Sequence, residues 1–446
     1  MQLSSFKISG ELKFMPSLRS HCLVIGLLSA TTAVTPAMAG GFYLQEQSPK
    51  ETGRAFSGGA AAADDPSTIF YNPAGMVELE GLQVSTGGTL IFINSRQANE
   101  GSTRTLPGQS GPIAIAGNGG GNPFADVVPI PSFYASAHVG GTPLWLGLGI
   151  SAPFGLKLEY DSDFFGRYDS LRSDLKTYNV QPSFALRLNQ SLSVGGGIDI
   201  QYADVELTNA LPNLTASAPD ARYRVEGDDL SVGWNIGVLA RIGPARLGVH
   251  YRSGMEHRLS GSQSITGLLG SLSAANGVQA VEAPLNLPDI VTASATFSLD
   301  ARTRLMATGR FYNWSVFKRL EIRPETGGKL IKEMGYKDSW SIALGAEHQL
   351  SERLTLRAGA MFDKTPTNAD LLSTRVPDGD RTWATAGATY DLNDHLSINV
   401  SLAHVFIEKQ LMDRTDSFFG GLASVHTLSR SSGNVDMVAT SITARF

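Results

Sequence analysis

Apolar and polar residues alternate along the chain from about residue 81 to the C-terminus, in stretches of about 10 to 14 residues with almost no helical periodicity. In the clearest stretch, Trp340 and Ile342 share one face, and the residues between them are small or polar. The same period recurs at 354–363 and 396–402. This pattern predicts β-strands with one apolar and one polar face, which a soluble sandwich and a transmembrane barrel both contain.

The lengths of the connections between these stretches favour the barrel. Tight turns alternate with long segments, as in an outer-membrane barrel whose short turns face the periplasm and whose long loops face outside. Six tight turns and seven long segments make thirteen connections, and therefore fourteen strands. The sequence predicts an all-β protein in which residues 82–446 form a fourteen-stranded antiparallel transmembrane β-barrel. The tight turns lie at 140–142, 189–190, 243–244, 300–301, 351–352 and 393–394, and the long segments at 95–131, 153–175, 208–228, 260–288, 325–337, 365–380 and 408–433.

The last predicted strand, 434–446, ends in an aromatic residue. Val438, Ile442 and Phe446 lie on one face of it. A C-terminal Phe on an alternating strand resembles the signal that the outer-membrane barrel-assembly machinery reads. We therefore expect that machinery to be a partner during biogenesis, and the outer membrane of a Gram-negative bacterium to be the final location.

The first 39 residues have the features of a secretory signal peptide. Basic residues precede an apolar run at 23–28, and small residues at 37–39 form a cleavage site. Translation starts at Met1 or at Met15, and both starts give the same mature chain, which begins at Gly40.

Composition excludes several classes of protein. There are 48 glycines and 21 prolines, too many for a helical fold, and a hydrophobic fraction of 42% excludes a disordered chain. The only long apolar run lies in the signal peptide, which excludes a polytopic helical membrane protein. The single cysteine, Cys22, lies there too, so the mature chain has neither a disulfide nor a thiolate metal site.

The charge of the mature chain excludes nucleic acid as a partner. Of 36 basic and 41 acidic residues, three and one leave with the signal peptide, so that 33 and 40 remain and the net charge is −7. No basic run is longer than two residues. The histidines lack metal-ligand spacing, and the glycine-rich stretch 117–122 lacks the Lys and Ser or Thr of a phosphate-binding loop. We expect no metal and no cofactor.

Residues 40–81 lack the alternation of the barrel strands and are too many for one strand. A fourteen-stranded barrel encloses more space than its own side chains fill. We therefore expect residues 40–81 to form an N-terminal plug in the lumen, with a disordered periplasmic tail as the alternative.

Several short motifs occur in this segment and beyond it in a characteristic order. In the segment they are Gly41-Phe42, the run from Gly53 to Gly59, Ala63-Asp64-Asp65 and Asn72-Pro73-Ala74-Gly75. Later motifs include Pro153-Phe154-Gly155, Gly166-Arg167-Tyr168, Tyr251-Arg252-Ser253, Trp314-Ser315-Val316-Phe317, Lys337-Asp338 and Pro377-Asp378-Gly379-Asp380-Arg381. In order and spacing, over nearly the whole mature chain, these motifs resemble those of the FadL-type outer-membrane transporters.

The resemblance implies passive uptake of hydrophobic molecules, long-chain fatty acids or aromatic hydrocarbons, and no enzymatic activity. The ligand would pass through an apolar cavity and a lateral opening in the wall of a monomer that contacts outer-membrane lipid and lipopolysaccharide. A general porin, a loop-mediated adhesin and an outer-membrane phospholipase are the alternatives. The plug argues against the porin, and nothing in the sequence places a catalytic serine and histidine together.

The candidate for the lateral opening is Pro153-Phe154-Gly155. The resemblance implies that the third strand bends inward there. Proline cannot donate to a ladder and glycine permits a bend, so a break in the strand is chemically reasonable. The alternative is that Pro153 only ends the strand.

Ligand contacts also follow from the resemblance. Phe42 matches a position where an N-terminal segment enters the ligand pocket, and Lys337 and Arg381 are the candidate cations for a carboxylate ligand. Where a fatty-acid transporter offers an arginine, this chain has Asp204-Val205-Glu206, which argues against a carboxylate ligand.

The plug contains two further groups of candidate residues. Its charged residues are expected to pair with charges in the lumen, with solvation as the alternative. An Asn-Pro-Ala sequence forms a rigid turn, which serves either the plug structure or gating. The charged residues are Arg54, Asp64 and Asp65, and the turn is Asn72-Pro73-Ala74.

Overall fold

The computed structural model describes residues 41–124 and 127–446. The signal peptide expected at 1–39 lies outside the described residues, as does Gly40. None of the helices in the described part of the chain is long and apolar enough to span a membrane.

One antiparallel sheet closes on itself, because the first strand of the chain pairs with the last from Gln83 opposite Arg445 to Asn99 opposite Ser429. The strands are β1 Leu82–Asn99, β2 Thr103–Thr105, β3 Ile113–Ala114, β4 Val128–His138, β5 Leu144–Ser151, β6 Gly155–Glu159, β7 Arg172–Arg187, β8 Leu192–Leu211, β9 Ala221–Ile242, β10 Ala245–Arg252, β11 Met255–Thr266, β12 Gly277–Leu287, β13 Ile290–Ser298, β14 Thr303–Tyr312, β15 Arg319–Pro324, β16 Leu330–Glu333, β17 Ser339–Gln349, β18 Leu354–Asp363, β19 Arg381–Asn393, β20 Leu396–Ile407, β21 Gln410–Phe418 and β22 Ala423–Arg445.

Within the described residues, the wall of the barrel has fourteen strands. Two short hairpins, β2 with β3 and β15 with β16, lie in the loops. The other segments form the wall, and four pairs of them continue one another, namely β5 with β6, β10 with β11, β12 with β13, and β20 with β21. The prediction of a fourteen-stranded antiparallel barrel is confirmed.

The alternation of side chains in the wall also agrees with the sequence pattern. On β17, Ile342 and Leu344 are 54% and 63% exposed, whereas Ser339 and Ser341 are buried. In a transmembrane barrel the outward face meets lipid hydrocarbon, so it is apolar, and the inward face is polar.

At the side of the tight turns, the strands end where the sequence predicts. At the side of the long loops, some strands extend further than the sequence predicts. Each of the six predicted tight turns lies where two paired strands meet. In contrast, β8 continues to Leu211, and β22 begins at Ala423 instead of near residue 434. In the β22 extension the outward positions other than Leu428 carry polar or charged side chains, and the β8 extension adds only Thr208 and Ala210 to that face. The apolar alternation that marks a strand in lipid is therefore largely missing from the sequence there.

Residues 41–77 lie inside the barrel and are buried, except for the partly exposed Asp64. Backbone N–H groups of this segment donate to inward-facing hydroxyls of the wall, such as Gly58 to Thr308 at 2.8 Å and Ala60 to Ser294 at 3.1 Å. The helices here are short: α1 Pro49–Thr52, α2 Thr68–Tyr71 and a 3-10 helix Pro73–Glu78, while further 3-10 helices at Gly270–Ala275, Trp314–Val316, Ala369–Leu371 and Phe419–Gly421 lie in loops.

Wall glycines let the backbone of this segment lie directly against the sheet. A methyl group at Gly248 of β10 would overlap the carbonyl oxygen of Ala60, and one at Gly237 of β9 would overlap the side-chain amide of Asn72. Because the atoms in the way are backbone or hydrogen-bonded, they have little room to move. The glycines therefore fix where residues 41–81 dock.

Replacing Gly248 by Ala is expected to lower the thermal stability of the folded barrel, because the new methyl group pushes the Ala60 backbone off the wall. The expected loss is on the order of 1–3 kcal/mol. Gly309→Ala is the matched control, since a methyl group at this glycine of β14 has no neighbour within 4 Å. The measurement is the temperature at which the folded form disappears on denaturing gels, and equal temperatures for the two variants would contradict the docking role.

Candidate functional site

The wall is interrupted beside its third strand. Pairing between β4 and β5 stops at Ile150, opposite Phe133, and β5 ends at Ser151. After the interruption β6 begins at Gly155 and pairs with β7, but not with β4. One side of β6 therefore has no neighbouring wall strand among the described residues.

Prolines on both strands account for the interruption. Pro153 lies in the gap between β5 and β6, and β4 carries Pro129 and Pro131 in the part that no longer pairs with β5. None of the three has a backbone N–H to donate to a ladder. Like Pro153, two prolines so close together in one strand indicate a break in strand pairing. The sequence predictions above rested on Pro153 alone.

The N-terminal segment, residues 41–47, supplies part of the missing ladder. The N–H of Leu44 donates to the carbonyl of Pro153 at 2.8 Å, and the N–H of Gly155 donates to the carbonyl of Phe42 at 2.9 Å. Hydrogen bonds placed in this way belong to an antiparallel strand pair. The segment therefore closes the wall as a short additional strand.

The centre of this pairing is an antiparallel bridge between Tyr43 and Phe154. The Gln47 side chain extends it, because its amide nitrogen donates to the Ala152 carbonyl at 2.8 Å and its amide oxygen accepts from the Ala152 N–H at 3.2 Å. On the far side, the N–H of Phe154 donates to the hydroxyl of Thr177 at 2.9 Å. The interruption is thus satisfied by hydrogen bonds, although not by a wall strand.

Phe42 lies in a cluster of aromatic rings next to this bridge. Its ring centroid is 4.6 Å from that of Trp314, 5.3 Å from that of Phe317 and 6.3 Å from that of Phe154, all in edge-to-face arrangements. Such contacts add to the free energy of burying the rings. The aromatic cluster therefore holds the N-terminal segment against the interruption.

Phe42 also lines an apolar cavity that is open on one side. The walls are aliphatic side chains of several strands, and Phe317 contributes a second ring. A concave, mostly apolar lining is typical of a site for a hydrophobic ligand. The aliphatic lining residues are Leu156, Leu175, Val205, Leu207, Val225, Leu259, Val281, Ala283, Leu285, Leu320, Ile322 and Val376.

Two of the charged residues that line the cavity are neutralised by their own partners. The carboxylate of Glu226 lies 2.7 Å from the guanidinium of Arg224, and that of Glu321 lies 2.7 Å from the guanidinium of Arg323. The remaining charged lining residue is Arg375. The spacing of residues in the sequence does not point to Arg375. This residue lies in the long loop between β18 and β19, and only tertiary packing brings it to the cavity.

The charged plug residues named from the sequence form ion pairs. The Arg54 guanidinium lies 2.6 Å from the carboxylate of Asp64, which is also 2.8 Å from the guanidinium of Arg304 on β14. Asp65 pairs within the segment, 3.6 Å from the ammonium of Lys50. The nearby arginines hold the pKa of Asp64 well below its usual value, although burial alone would raise it.

The Asn72-Pro73-Ala74 turn contacts the wall directly. The Asn72 amide nitrogen donates to the carbonyl of Ala60 at 2.7 Å and to that of Val238 on β9 at 3.0 Å. Its amide oxygen accepts from the N–H of Ala74 at 3.1 Å, and Pro73 begins the 3-10 helix. The turn therefore joins two parts of the N-terminal segment to the barrel.

The two cations expected to bind a carboxylate ligand do not line the cavity. Lys337 is exposed, and its backbone N–H donates to the carbonyl of Pro366. Arg381 is buried, but it forms ion pairs with Asp378 and with Asp363, the latter at 3.6 Å. Phe42 is the only one of the three proposed ligand contacts that the described structure brings to the cavity.

Asp204 and Glu206 do not face the cavity either. Val205 and Leu207, which alternate with them along β8, line it, and successive strand residues point to opposite faces. Glu206 forms an ion pair with Arg224 at 3.0 Å on the other face. These two acids therefore do not argue against a carboxylate ligand, in contrast to the expectation from the sequence.

Residues 30–446 match the model of the family described as "Outer membrane protein transport protein (OMPP1/FadL/TodX)". This chain belongs to that family. It is an outer-membrane β-barrel of the Gram-negative type, in a family made up of transporters.

Individual relatives cover most of the chain. It is 30% identical over 408 residues to outer membrane protein P1 of Haemophilus influenzae, covering 83% of this chain and 86% of the relative. It is 28% identical to a long-chain fatty acid transport protein of Escherichia coli, covering 84% of this chain and 89% of the relative.

Solved structures share the fold at lower identity. A Pseudomonas aeruginosa FadL homologue superimposes with a TM-score of 0.81 at 21% identity, over 91% of this chain and 99% of that one. The Pseudomonas putida toluene transporter TodX gives a TM-score of 0.67 at 14% identity, over 92% of this chain and 100% of that one.

Proposed function

We propose that this protein takes up hydrophobic molecules from outside the cell and releases them sideways into the outer membrane at the interruption beside β6. One observation carries the proposal: Phe42 lines the apolar cavity, and its carbonyl accepts the hydrogen bond from Gly155 that helps to close the wall. A ligand that displaces the Phe42 ring from the cavity therefore also acts on the closure.

The proposed route is favourable for apolar solutes. An apolar molecule that leaves the cavity sideways enters lipid hydrocarbon and never has to be transferred into the polar lower lumen. The molecule stays in apolar surroundings along the whole route, so the free energy gained by removing its surface from water is not lost at any step. Passive uptake by such a route needs no catalytic residue and no cofactor, so we propose that the protein is not an enzyme.

The names of the relatives support hydrophobic substrates. One is a long-chain fatty acid transport protein and another, similar in fold, is a toluene transporter. We propose that this chain transports molecules of this class, with the outer-membrane lipid and lipopolysaccharide around the outward apolar face as its surroundings. We also propose that it acts as a monomer, and that the barrel-assembly machinery reads the strand that ends at Phe446.

We propose that residues 40–81 act as a plug and that the wall interruption, not the plug, is the exit. The ion pairs of Arg54 and Asp64, and the contacts of Asn72 with the wall, support a plug that stays in place. The closure at the interruption depends on hydrogen bonds between neutral groups of Leu44, Gly155 and Gln47 instead of ion pairs, which supports movement there.

Filling the cavity is expected to reduce uptake. In Ala283→Trp the indole projects from β12 into the cavity that a ligand needs, and we expect uptake of a labelled hydrophobic probe such as oleate to fall several-fold in cells that express the variant. Ala280→Trp is the matched control, because Ala280 lies on the same strand, is exposed and does not line the cavity. Equal uptake by both variants at equal expression would contradict the proposal that the substrate passes through this cavity.

A further inference from the structure

The N-terminal segment 41–47 carries a buried carboxyl group without a hydrogen-bond partner. Glu46 is 1% exposed, and neither Oε1 nor Oε2 is hydrogen-bonded to a protein atom in residues 41–124 and 127–446. Its backbone is held by the wall, because the hydroxyl of Thr89 on β1 donates to the Glu46 carbonyl at 3.0 Å. Burying an ionised carboxylate without a partner is costly, and such a group takes up a proton instead.

The charged groups around Glu46 do not compensate an ionised carboxylate. Arg381 of β19 and Asp363 of β18 act on it from the wall, and Tyr43 acts on it from its own segment. Arg381 already forms ion pairs with Asp378 and with Asp363, the latter at 3.6 Å. An ionised Glu46 would be the third carboxylate at one guanidinium, so its charge would be repelled by the other two.

These surroundings have the expected effect on the acidity of Glu46. Burial raises the pKa of its carboxyl from the ordinary value of 4.5 to about 8, although Arg381 acts in the opposite direction. The backbone N–H groups of Gln45 and of Glu46 itself also favour the ionised form, but they are not in hydrogen-bond geometry with the carboxyl oxygens. With the segment in place, the neutral form of Glu46 is therefore favoured at neutral pH.

Glu46 differs in this respect from other buried acids of residues 41–81. Glu51 forms an ion pair with Arg54, and Asp65 lies 3.6 Å from the ammonium of Lys50. Such pairs favour the ionised form of an acid. The unpaired acid lies in the seven residues that close the wall, whereas the paired ones lie in the part of the plug that stays in place in the proposed function.

We propose that closing of the wall by residues 41–47 takes up one proton on Glu46, so that the interruption beside β6 is held closed at acid pH and opens more readily as the pH rises. The inference rests on the proposed movement of this segment and adds its regulation. When the segment leaves the wall, the carboxyl group regains its hydration. Its O–H bond then breaks, the proton passes to water, and the carboxylate that remains opposes a return to the buried position.

The direction and range of the pH dependence follow from the two states of Glu46. Its pKa is higher when the segment is docked than when it is detached, so docking is most favourable below pH 4.5 and weakens as the pH rises to about 8. Within this range, one released proton raises the detached fraction by up to about tenfold for each pH unit. Above this range the carboxyl is ionised in both states, and the dependence levels off.

Hydrogen–deuterium exchange of the peptide that contains residues 41–47 measures the detachment. The N–H of Leu44 is bonded to Pro153, so it is protected while the segment is docked. The full mature protein in detergent micelles is compared with Glu46→Gln at pH 5.5 and pH 7.5. Dividing the wild-type rate by the variant rate at each pH removes the intrinsic pH dependence of amide exchange. We expect this ratio to rise by about tenfold or more between the two pH values, because glutamine has no proton to release.

A matched variant and a measurement without variants accompany this comparison. Glu80→Gln makes the same chemical change at an exposed position of residues 40–81, and we expect it to keep the wild-type pH profile. In wild-type protein alone, exchange of residues 41–47 relative to exchange of the paired strands β1 and β22 should rise over the same pH range. This measurement applies even if Glu46→Gln does not fold.

Uptake gives a functional readout of the same closure. Hexadecan-1-ol is a suitable probe, because it carries no charge at either pH. In cells that express the wild-type protein, its uptake is expected to be several-fold higher at pH 7.5 than at pH 5.5. In cells that express Glu46→Gln, it is expected to be the same at both.

Each failure has a different meaning. If residues 41–47 exchange as slowly as the wall at every pH, the segment does not detach and the proposed lateral release is wrong. If wild-type protein and Glu46→Gln exchange with the same pH profile, the segment moves without a proton and the role of Glu46 is overturned. If exchange shows the expected profile but hexadecan-1-ol is not taken up at either pH, the proposed uptake function is wrong and the coupling to a proton stands.

Discussion

A disulfide between positions 43 and 154 is expected to reduce hydrophobic uptake at least tenfold, and a reductant is expected to restore it. Tyr43 and Phe154 are directly opposite each other, and the hydrogen bonds that flank them belong to neighbouring residues. In antiparallel pairs of this kind the Cα atoms lie about 4.5 Å apart, which is within the range that a disulfide spans. The covalent bond would hold the N-terminal segment against the interruption.

No other cysteine of the mature chain competes for the engineered disulfide. The only cysteine, Cys22, lies in the expected signal peptide, so Tyr43→Cys with Phe154→Cys introduces the only thiols of the mature chain. The single variants, oxidised in the same way, show what the loss of each ring does by itself. Unchanged uptake in a fully oxidised double variant, with the bond verified by mass spectrometry, would mean that substrate does not leave beside β6.

Deletion of residues 41–81 is expected to convert the protein into an open pore. The wall side chains that face this segment are largely polar, so the vacated lumen would fill with water. The segment also carries a net charge of −4, so its removal leaves wall arginines without their partners and should make the pore prefer anionic solutes. Its charged residues are Glu46, Glu51, Asp64, Asp65, Glu78 and Glu80 against Lys50 and Arg54.

Planar bilayers measure both properties, since conductance reports the pore and the reversal potential in a salt gradient reports its selectivity. Full-length protein, purified in the same way, is the control, and a gel shift on heating shows that the truncated barrel is folded. If the truncated barrel conducts no more than the full-length one, the lumen is closed by something other than residues 41–81.

The barrel could be predicted from the sequence because its determinants are local. Whether Ile342 faces lipid depends on the parity of its position in one strand, and the six tight turns are marked by residues within the turns themselves. The extensions of β8 and β22 were missed because few of their outward side chains are apolar. Their pairing depends on the neighbouring strand, which a single segment does not reveal.

The sequence predicted a feature of the candidate site only where the chemistry of a single residue determines that feature. Pro153 interrupts a strand in any context, because it has no N–H. Lys337 and Arg381 were chosen as cations near matching motifs, but the direction of a side chain and its ion pairs depend on tertiary packing. Lys337 is exposed and Arg381 is paired with Asp378, whereas Arg375 reaches the cavity from a loop.

The prolines on both sides of the interruption have a consequence for the barrier that the outer membrane provides. Pro129, Pro131 and Pro153 cannot supply the missing donors, so the two wall strands have no sealed state of their own. If the proposed lateral route is correct, the permeability of the outer membrane at this place is set by the seven residues 41–47, and not by the barrel wall. On the same proposal, a compound that kept residues 41–47 away from the wall would make the outer membrane more permeable to apolar antibiotics, whatever the natural substrate is.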